Sequence, residues 1–135
     1  MTANTARILA VDDEENIREM LRRGLERTGY EVVTAESAGR AANLLDGEEF
    51  DLVLLDITMP GKSGIDFLPE IIAKYPELAV IMLTGIADVS TGVRAMREGA
   101  HDYVNKRSPW RTWSFGWSML CPGEVWPWRT EHINR

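Results

Sequence analysis

Five short apolar runs punctuate the first 106 residues: Ile8–Val11, Val32–Thr34, Leu52–Leu55, Ala79–Leu83 and Asp102–Val104. None alternates strictly between apolar and polar, which is the pattern of strands covered on both faces, as in a parallel sheet flanked by helices. Between the runs the apolar spacing turns helical. Ile17, Met20, Leu21, Gly24 and Leu25 follow i, i+3, i+4, i+7, i+8 and predict an amphipathic helix that Gly29 ends. Ser37 is placed to cap a second helix with Ala38, Ala41, Ala42 and Leu45 inward. A third stripe, Phe67, Leu68, Ile71, Ile72 and Tyr75, stops at Pro76, and Asp88 would cap a fourth helix carrying Val89, Val93 and Met96 and closed by Gly99. Regular alternation of strand and helix implies right-handed βαβ units and a doubly wound α/β sheet.

At 135 residues the chain has room for one domain on the usual prior of roughly 100–200 residues each. Hydrophobic residues at 44% and charged residues at 27% exclude wholesale disorder. No apolar run approaches the roughly 20 residues of a membrane span, so no membrane partner is expected. Met1 to Ala6 lack the apolar stretch of a secretory signal, which makes the cytoplasm the expected address, and the lone Cys121 excludes an internal disulfide. The formal charge of −6 argues against a nucleic-acid-binding surface, but it hides a division. Residues 1–106 carry 11 basic against 19 acidic side chains, net −8, whereas residues 107–135 carry 4 against 2, net +2. All five tryptophans, Trp110, Trp113, Trp117, Trp126 and Trp128, lie in that second segment. The expected organisation is a domain over residues 1–106 and a different kind of sequence over 107–135.

In a doubly wound sheet, ligands sit beyond the carboxyl ends of the strands. Here those ends are polar: Asp12 and Asp13 after the first run, Asp56 after the third, Thr84 after the fourth and Lys106 after the fifth. Taken singly, each has a plain structural role. Asp13 can cap the first helix, Asp56 can open a turn before Met59-Pro60-Gly61, and a lysine such as Lys106 is ordinarily solvated. Taken together, three carboxylates converging on one edge repel one another unless a cation neutralises them. Magnesium suits oxygen ligands and keeps waters that phosphate oxygens can replace. With such an ion, Asp56 can meet a phosphoryl group while the Thr84 hydroxyl and Lys106 ammonium hold its other oxygens, an aspartyl-phosphate site.

The motifs V-D-D-E-E at 11–15, L-L-D-I-T-M-P-G-K-S-G at 54–64, M-L-T-G at 82–85 and A-M-R-E-G-A-H-D-Y-V-N-K at 95–106 resemble a two-component response-regulator receiver domain over residues 7–106. That resemblance implies a flavodoxin-like, five-stranded parallel sheet of order 2-1-3-4-5. It makes Asp56 the phosphoacceptor, Asp13 a direct magnesium ligand, Asp12 a ligand through water and the Thr58 backbone carbonyl a further metal contact. Thr84 and Lys106 would bind the phosphoryl group, with Thr84 and Tyr103 moving together as the switch that changes the helix 4 and strand 5 surface. The implied partners are a sensor histidine kinase or phosphotransfer protein upstream and an unidentified protein downstream. Self-transfer aside, no enzyme activity is implied. Thr58 and Ile86 flank the reactive face, and neither is an acid or amide suited to orient a hydrolytic water, so slow self-dephosphorylation is expected. Two other classes are weighed beside this one. A degenerate, non-phosphorylated receiver would act as a protein-binding module. A magnesium phosphatase of the haloacid-dehalogenase type resembles D-x-D after its strand, whereas this chain reads Asp56-Ile57-Thr58.

The resemblance ends at Lys106. Receivers usually continue with Lys-Pro and a last amphipathic helix, and here Lys106-Arg107-Ser108-Pro109-Trp110 follows, so the last helix is expected to be missing or replaced. Ser108 as cap and Pro109 at the first position would start a substitute helix over 109–121, with Trp110, Trp113, Trp117 and Leu120 on one stripe and Pro122-Gly123 as its stop. Gly116 would cost it about 1 kcal/mol against alanine. Two other readings stand beside it: a basic aromatic strip, since Pro-Trp-Arg-Thr occurs at 109 and again at 127, and a shifted reading frame past Lys106. The 29 residues after Lys106 are too few for a DNA-binding module of ordinary size. Self-association is expected through exposed aromatics of the tail or through the helix 4 and strand 5 face.

Overall fold

The computed structural model describes residues 6–27, 29–84 and 89–105. Nine elements alternate: β1 (Arg7–Val11), α1 (Glu15–Arg27), β2 (Glu31–Ala35), α2 (Ala38–Gly47), β3 (Leu52–Asp56), α3 (Gly64–Lys74), β4 (Ala79–Thr84), α4 (Val89–Arg97) and β5 (Asp102–Asn105). The strands form one parallel sheet in the order β2-β1-β3-β4-β5. The expected architecture is therefore the observed one. The strands run one residue past several apolar runs, taking in Asp56, Thr84 and Asn105, because ladder pairing continues up to the polar edge.

The ladder register sorts the strand residues into two faces. Leu9, Val11, Val53, Leu55, Val80 and Met82 face α2, α3 and α4, where Ala41, Leu45, Phe67, Leu68, Ile71 and Ala95 meet them. Ile8, Ala10, Val32, Leu52, Leu54, Ile81, Leu83 and Val104 point the other way, toward Leu21 and Leu25 of α1. Every residue of β3 and β4 is buried, which explains why those runs do not alternate. Each fully buried leucine or isoleucine there contributes about 1.5–3 kcal/mol of transfer free energy.

The helices form for local reasons as well. In α1, Glu19 pairs with Arg22 and, at 3.2 Å, with Arg23, while Arg22 reaches Glu26 at 3.3 Å. These pairs sit three or four residues apart on the solvent side and stabilise the helix by a few tenths of a kcal/mol each, about 0.2–0.5. Ser37 caps α2 by accepting from the Arg40 amide at 3.1 Å, as its position predicts. Ser63 does the same for α3, accepting from the Asp66 amide at 3.2 Å. Gly29 and Gly99 follow helix ends at φ +102° and +117°, a backbone region that side chains disfavour. No described helix is long and apolar enough to cross a membrane.

Two details of the expected core are corrected. In α2, Leu44 is buried beside Leu45, whereas Ala42 is half-buried. In α4, Val93 and Met96 are the exposed large hydrophobics at 43% and 38%, and Ala95 is the buried residue. At about 100° per residue, placing Ala95 against the sheet turns its neighbours Met96 and Val93 away. The small side chain lets the helix approach β4 and β5 closely. Asp88, Lys106 and the proposed helix 109–121 lie outside the described residues.

Candidate functional site

The polar edge is built by register. Val11 pairs with Leu55 across β1 and β3, so the next residues, Asp12 and Asp56, emerge side by side at the carboxyl end of the sheet. This is also where the connections diverge: β1 leads through α1 to β2 on one side, while its other neighbour is β3. Such a switch point leaves a crevice that no crossing loop fills.

Asp12 and Asp56 are both buried, Asp13 is exposed, and one oxygen of each of the three carboxylates lies within 4.8 Å of the others. Local turns set their directions. Asp12 Oδ1 accepts from the Glu14 amide at 2.8 Å, and Asp56 Oδ1 accepts from the Thr58 amide at 3.2 Å. The Asp12 backbone is tied on both sides: its amide donates to Ala35 O at 3.1 Å, and its carbonyl accepts from Arg18 Nη1 at 2.7 Å. Beyond β3, the Ile57 amide donates to Leu83 O at 3.0 Å, holding the Asp56 turn against β4. Three carboxylates held this close in a partly dry site favour a cation strongly, and an oxygen-only donor set fits a hard divalent ion.

Thr84 ends β4 and is buried, with its hydroxyl donating to Val104 O at 3.4 Å, so in this structure it is engaged with β5. Tyr103 is half-buried on the α2–α4 side of β5. Thr58 follows Asp56 directly and is exposed. The structure thus gathers Asp12, Asp13 and Asp56, places Thr58 beside them and sets Thr84 two strands along from β1. Lys106 and Ile86 lie outside the described residues.

Sequence reasoning gave no role to two residues that shape this edge. Arg18 fastens the Asp12 carbonyl from one turn into α1, and nothing in its spacing marks it. Gly64, the last residue of the quoted G-K-S-G, approaches the phosphoacceptor candidate closely: a Cβ there would fall 1.9 Å from Asp56 O and 2.8 Å from its carbonyl carbon. Its amide also donates to Ile57 O at 2.9 Å. A side chain at that position has no space.

The model of the response regulator receiver domain family matches residues 8–112. The chain belongs to that family. Response regulator protein FleR of Pseudomonas aeruginosa is 41% identical over 101 residues, 75% of this chain and 21% of that protein. Regulatory protein AtoC of Escherichia coli is 42% identical over 100 residues, 74% of this chain and 22% of that protein. The chain therefore spans about a fifth of the length of these relatives. Among solved structures, a receiver domain protein from Clostridium thermocellum superposes with a TM-score of 0.74 at 38% identity, covering 81% of this chain and 88% of that one. The response regulator TrrA from Thermotoga maritima, solved in complex with magnesium and a beryllofluoride group, gives 0.73 at 38% identity, covering 82% and 94%. Receiver domains of this kind are the phosphoacceptor signalling modules of two-component systems.

Proposed function

We propose that this receiver takes a phosphoryl group from the phosphohistidine of a sensor kinase or phosphotransfer protein onto Asp56, with magnesium as cofactor. The observation that carries the reading is the clustering of Asp12, Asp13 and Asp56 within 4.8 Å at the β1 and β3 ends. Asp13, Asp56 and the Thr58 carbonyl would hold the ion directly and Asp12 through water. The ion would offset the like charge that otherwise keeps a carboxylate and a phosphoryl group apart. TrrA, crystallised with magnesium and beryllofluoride, supports the assignment.

In the transfer, an Asp56 carboxylate oxygen attacks phosphorus in line, the P–N bond breaks, and its electron pair returns to the donor imidazole. Burial of Asp56 beside the Thr58 amide fixes the attacking oxygen. Lys106 and Thr84 are assigned to the phosphoryl oxygens. Reaching them requires the Thr84 hydroxyl to leave Val104 O, and that exchange is the proposed trigger for an inward turn of Tyr103 and a changed α4 and β5 surface. The names of the longer relatives, among them regulators of transcription, support an output that lies in a further protein segment or partner.

The test is intact mass after incubation of the purified chain with a small phosphoryl donor and magnesium, beside Asp56→Ala and a chelator control. One added phosphoryl mass, absent in both controls, is the expected result. No addition to a protein shown to be folded would refute it and leave the binding-module reading.

A further inference from the structure

Three ties converge on Asp12. Its amide donates to Ala35 O of β2 at 3.1 Å, its Oδ1 accepts from the Glu14 amide at 2.8 Å, and its carbonyl accepts from Arg18 Nη1 of α1 at 2.7 Å. Asp13 is the opposite case. It is exposed, and the hydrogen bonds among the described residues hold the carboxylates of Asp12 and Asp56 but include none to that of Asp13. The direction of the Asp13 side chain is therefore set by the backbone that carries it.

That backbone is held from α1. The carbonyl that Arg18 engages belongs to the peptide joining Asp12 to Asp13, and since a peptide is planar, holding its oxygen also fixes the Asp13 N–H and the placement of the Asp13 Cα. Arg18 is the fourth residue of α1, and helical side chains lean back toward the N-terminus, which brings its half-buried side chain to the loop. The bond is charge-assisted and lies at the short end of the N–H···O range. Neighbouring arginines of the helix behave differently: Arg22 and Arg23 pair with Glu19, and Arg22 also with Glu26. Among the described residues Arg18 makes no such ion pair, although Glu14, Glu15 and Glu19 all lie within one helical turn of it in sequence.

We propose that Arg18 is a positioning residue of the magnesium site: it holds the Asp12–Asp13 peptide so that the Asp13 carboxylate faces those of Asp12 and Asp56. This role rests on magnesium binding at the carboxylate edge, as the phosphoacceptor reading requires. Charge alone predicts the opposite effect. A guanidinium beside the loop repels a divalent cation, so removing it would tighten binding if its charge were what counted. If orientation is what counts, removal frees the peptide to turn, the Asp13 carboxylate leaves the cluster, and binding weakens. Groups that orient metal ligands typically change affinity by roughly 10–100-fold when removed. The sign of the change therefore separates the two effects.

The experiment is magnesium titration calorimetry on the full chain at fixed ionic strength, comparing wild type, Arg18→Met and Arg22→Met. Both variants remove one positive charge from α1 and install a good helix former, but only the first releases the Asp12 carbonyl. Arg18→Met should bind magnesium roughly 10-fold or more weakly, and Arg22→Met as wild type does. In phosphorylation time courses the magnesium concentration giving half the maximal rate should rise by the same factor in Arg18→Met, while the rate at saturating magnesium changes much less. Circular dichroism establishes that each variant is folded, and Arg18→Gln, whose side chain is too short to reach the carbonyl, repeats the test should Arg18→Met unfold. Affinity unchanged or tightened in a folded Arg18 variant, beside a wild type that binds, would overturn the positioning role and leave the phosphoacceptor reading standing. Equal weakening in Arg22→Met would overturn it too, as a general effect of substituting this helix. No binding by the wild-type chain would overturn both.

Discussion

Gly64→Ala is the sharpest perturbation of the site that leaves every titratable group in place. The added Cβ would stand 1.9 Å from Asp56 O, and restoring an ordinary van der Waals contact requires a retreat of roughly 1.5 Å. The oxygen cannot retreat easily, because Asp56 belongs to β3, hydrogen-bonded between β1 and β4. The α3 N-terminus must move instead, stretching the Gly64 to Ile57 hydrogen bond of 2.9 Å and the Asp56 turn with it. Overpacking of this kind costs about 1–3 kcal/mol, and the unfolding temperature should fall by on the order of 5 °C per kcal/mol. Displacing the attacking oxygen by about 1 Å should slow phosphorylation up to about 100-fold. The control is Gly61→Ala, at φ +79° with nothing within 4 Å of its Cβ, which carries backbone strain without the collision. Thermal unfolding and phosphorylation time courses by intact mass would be compared for the two. If Gly64→Ala phosphorylates as fast as Gly61→Ala and loses no more stability, the close approach does not position Asp56, and the reasoning fails.

Thr84→Ala should still gain phosphoryl mass at Asp56 while amide chemical shifts along α4 and β5 stay unmoved; a wild-type shift pattern would exclude the hydroxyl exchange as trigger. Phosphorylated protein should persist for minutes or longer, given the exposed Thr58 beside the site, and a half-life of seconds by intact mass would contradict this. Met96→Lys should change stability by less than about 0.5 kcal/mol, whereas Ala95→Leu should cost about 1–3 kcal/mol in urea unfolding, and the reverse order would mean α4 is rotated. A pH test concerns the α2 and α3 ends, where Lys74 and then Tyr75 hydrogen-bond Asp46 and hold its carboxyl below the usual range. The same bonds push Lys74 and Tyr75 up. A depressed Asp46 gives stability that is present above its unfolded pKa, roughly 3.9, and is lost as pH falls through the folded value. The raised Lys74 and Tyr75 give stability that is lost as pH rises through their folded values. Asp46→Asn should therefore flatten both limbs of a plot of urea midpoint against pH, and parallel curves for the two proteins would refute the coupling.

The fold was legible because burial on two faces leaves a plain mark, the unalternating runs that became β1, β3 and β4. The carboxylates were legible for a related reason: a polar residue ending an apolar strand has one place to go in a doubly wound sheet. What stayed hidden depends on distances rather than periodicity. Helical phase misled at α4, since Val89, Val93 and Met96 describe an apolar stripe as good as that of α1, yet the helix turns Ala95 inward. A small residue wins there because the approach of helix to sheet is decided by both partners. Gly64 carried a motif letter but no visible reason, which appears only once α3 is seen to begin against the Asp56 carbonyl. Arg18 acts on a backbone carbonyl six residues away, a contact that a list of side-chain types does not encode.

One hydroxyl joins the site to both sides of the edge strand. Thr84 donates to the Val104 carbonyl, and the side chains of Val104 and of the residue before it point in opposite directions: Tyr103 toward the α2–α4 side and Val104 toward the α1 side. A shift of Thr84 toward a phosphoryl group would leave a buried carbonyl without this donor, a loss of about 1 kcal/mol or more that β5 can relieve by moving. Because strand residues alternate, any rotation of that peptide moves both faces at once. A phosphorylation signal leaving through Tyr103 toward α4 would then also reach the α1 side through Val104. The two responses should share one dependence on Thr84: the amide shifts of Val104 and of α4 should change together on phosphorylation of the wild-type chain, and both should be lost in Thr84→Ala.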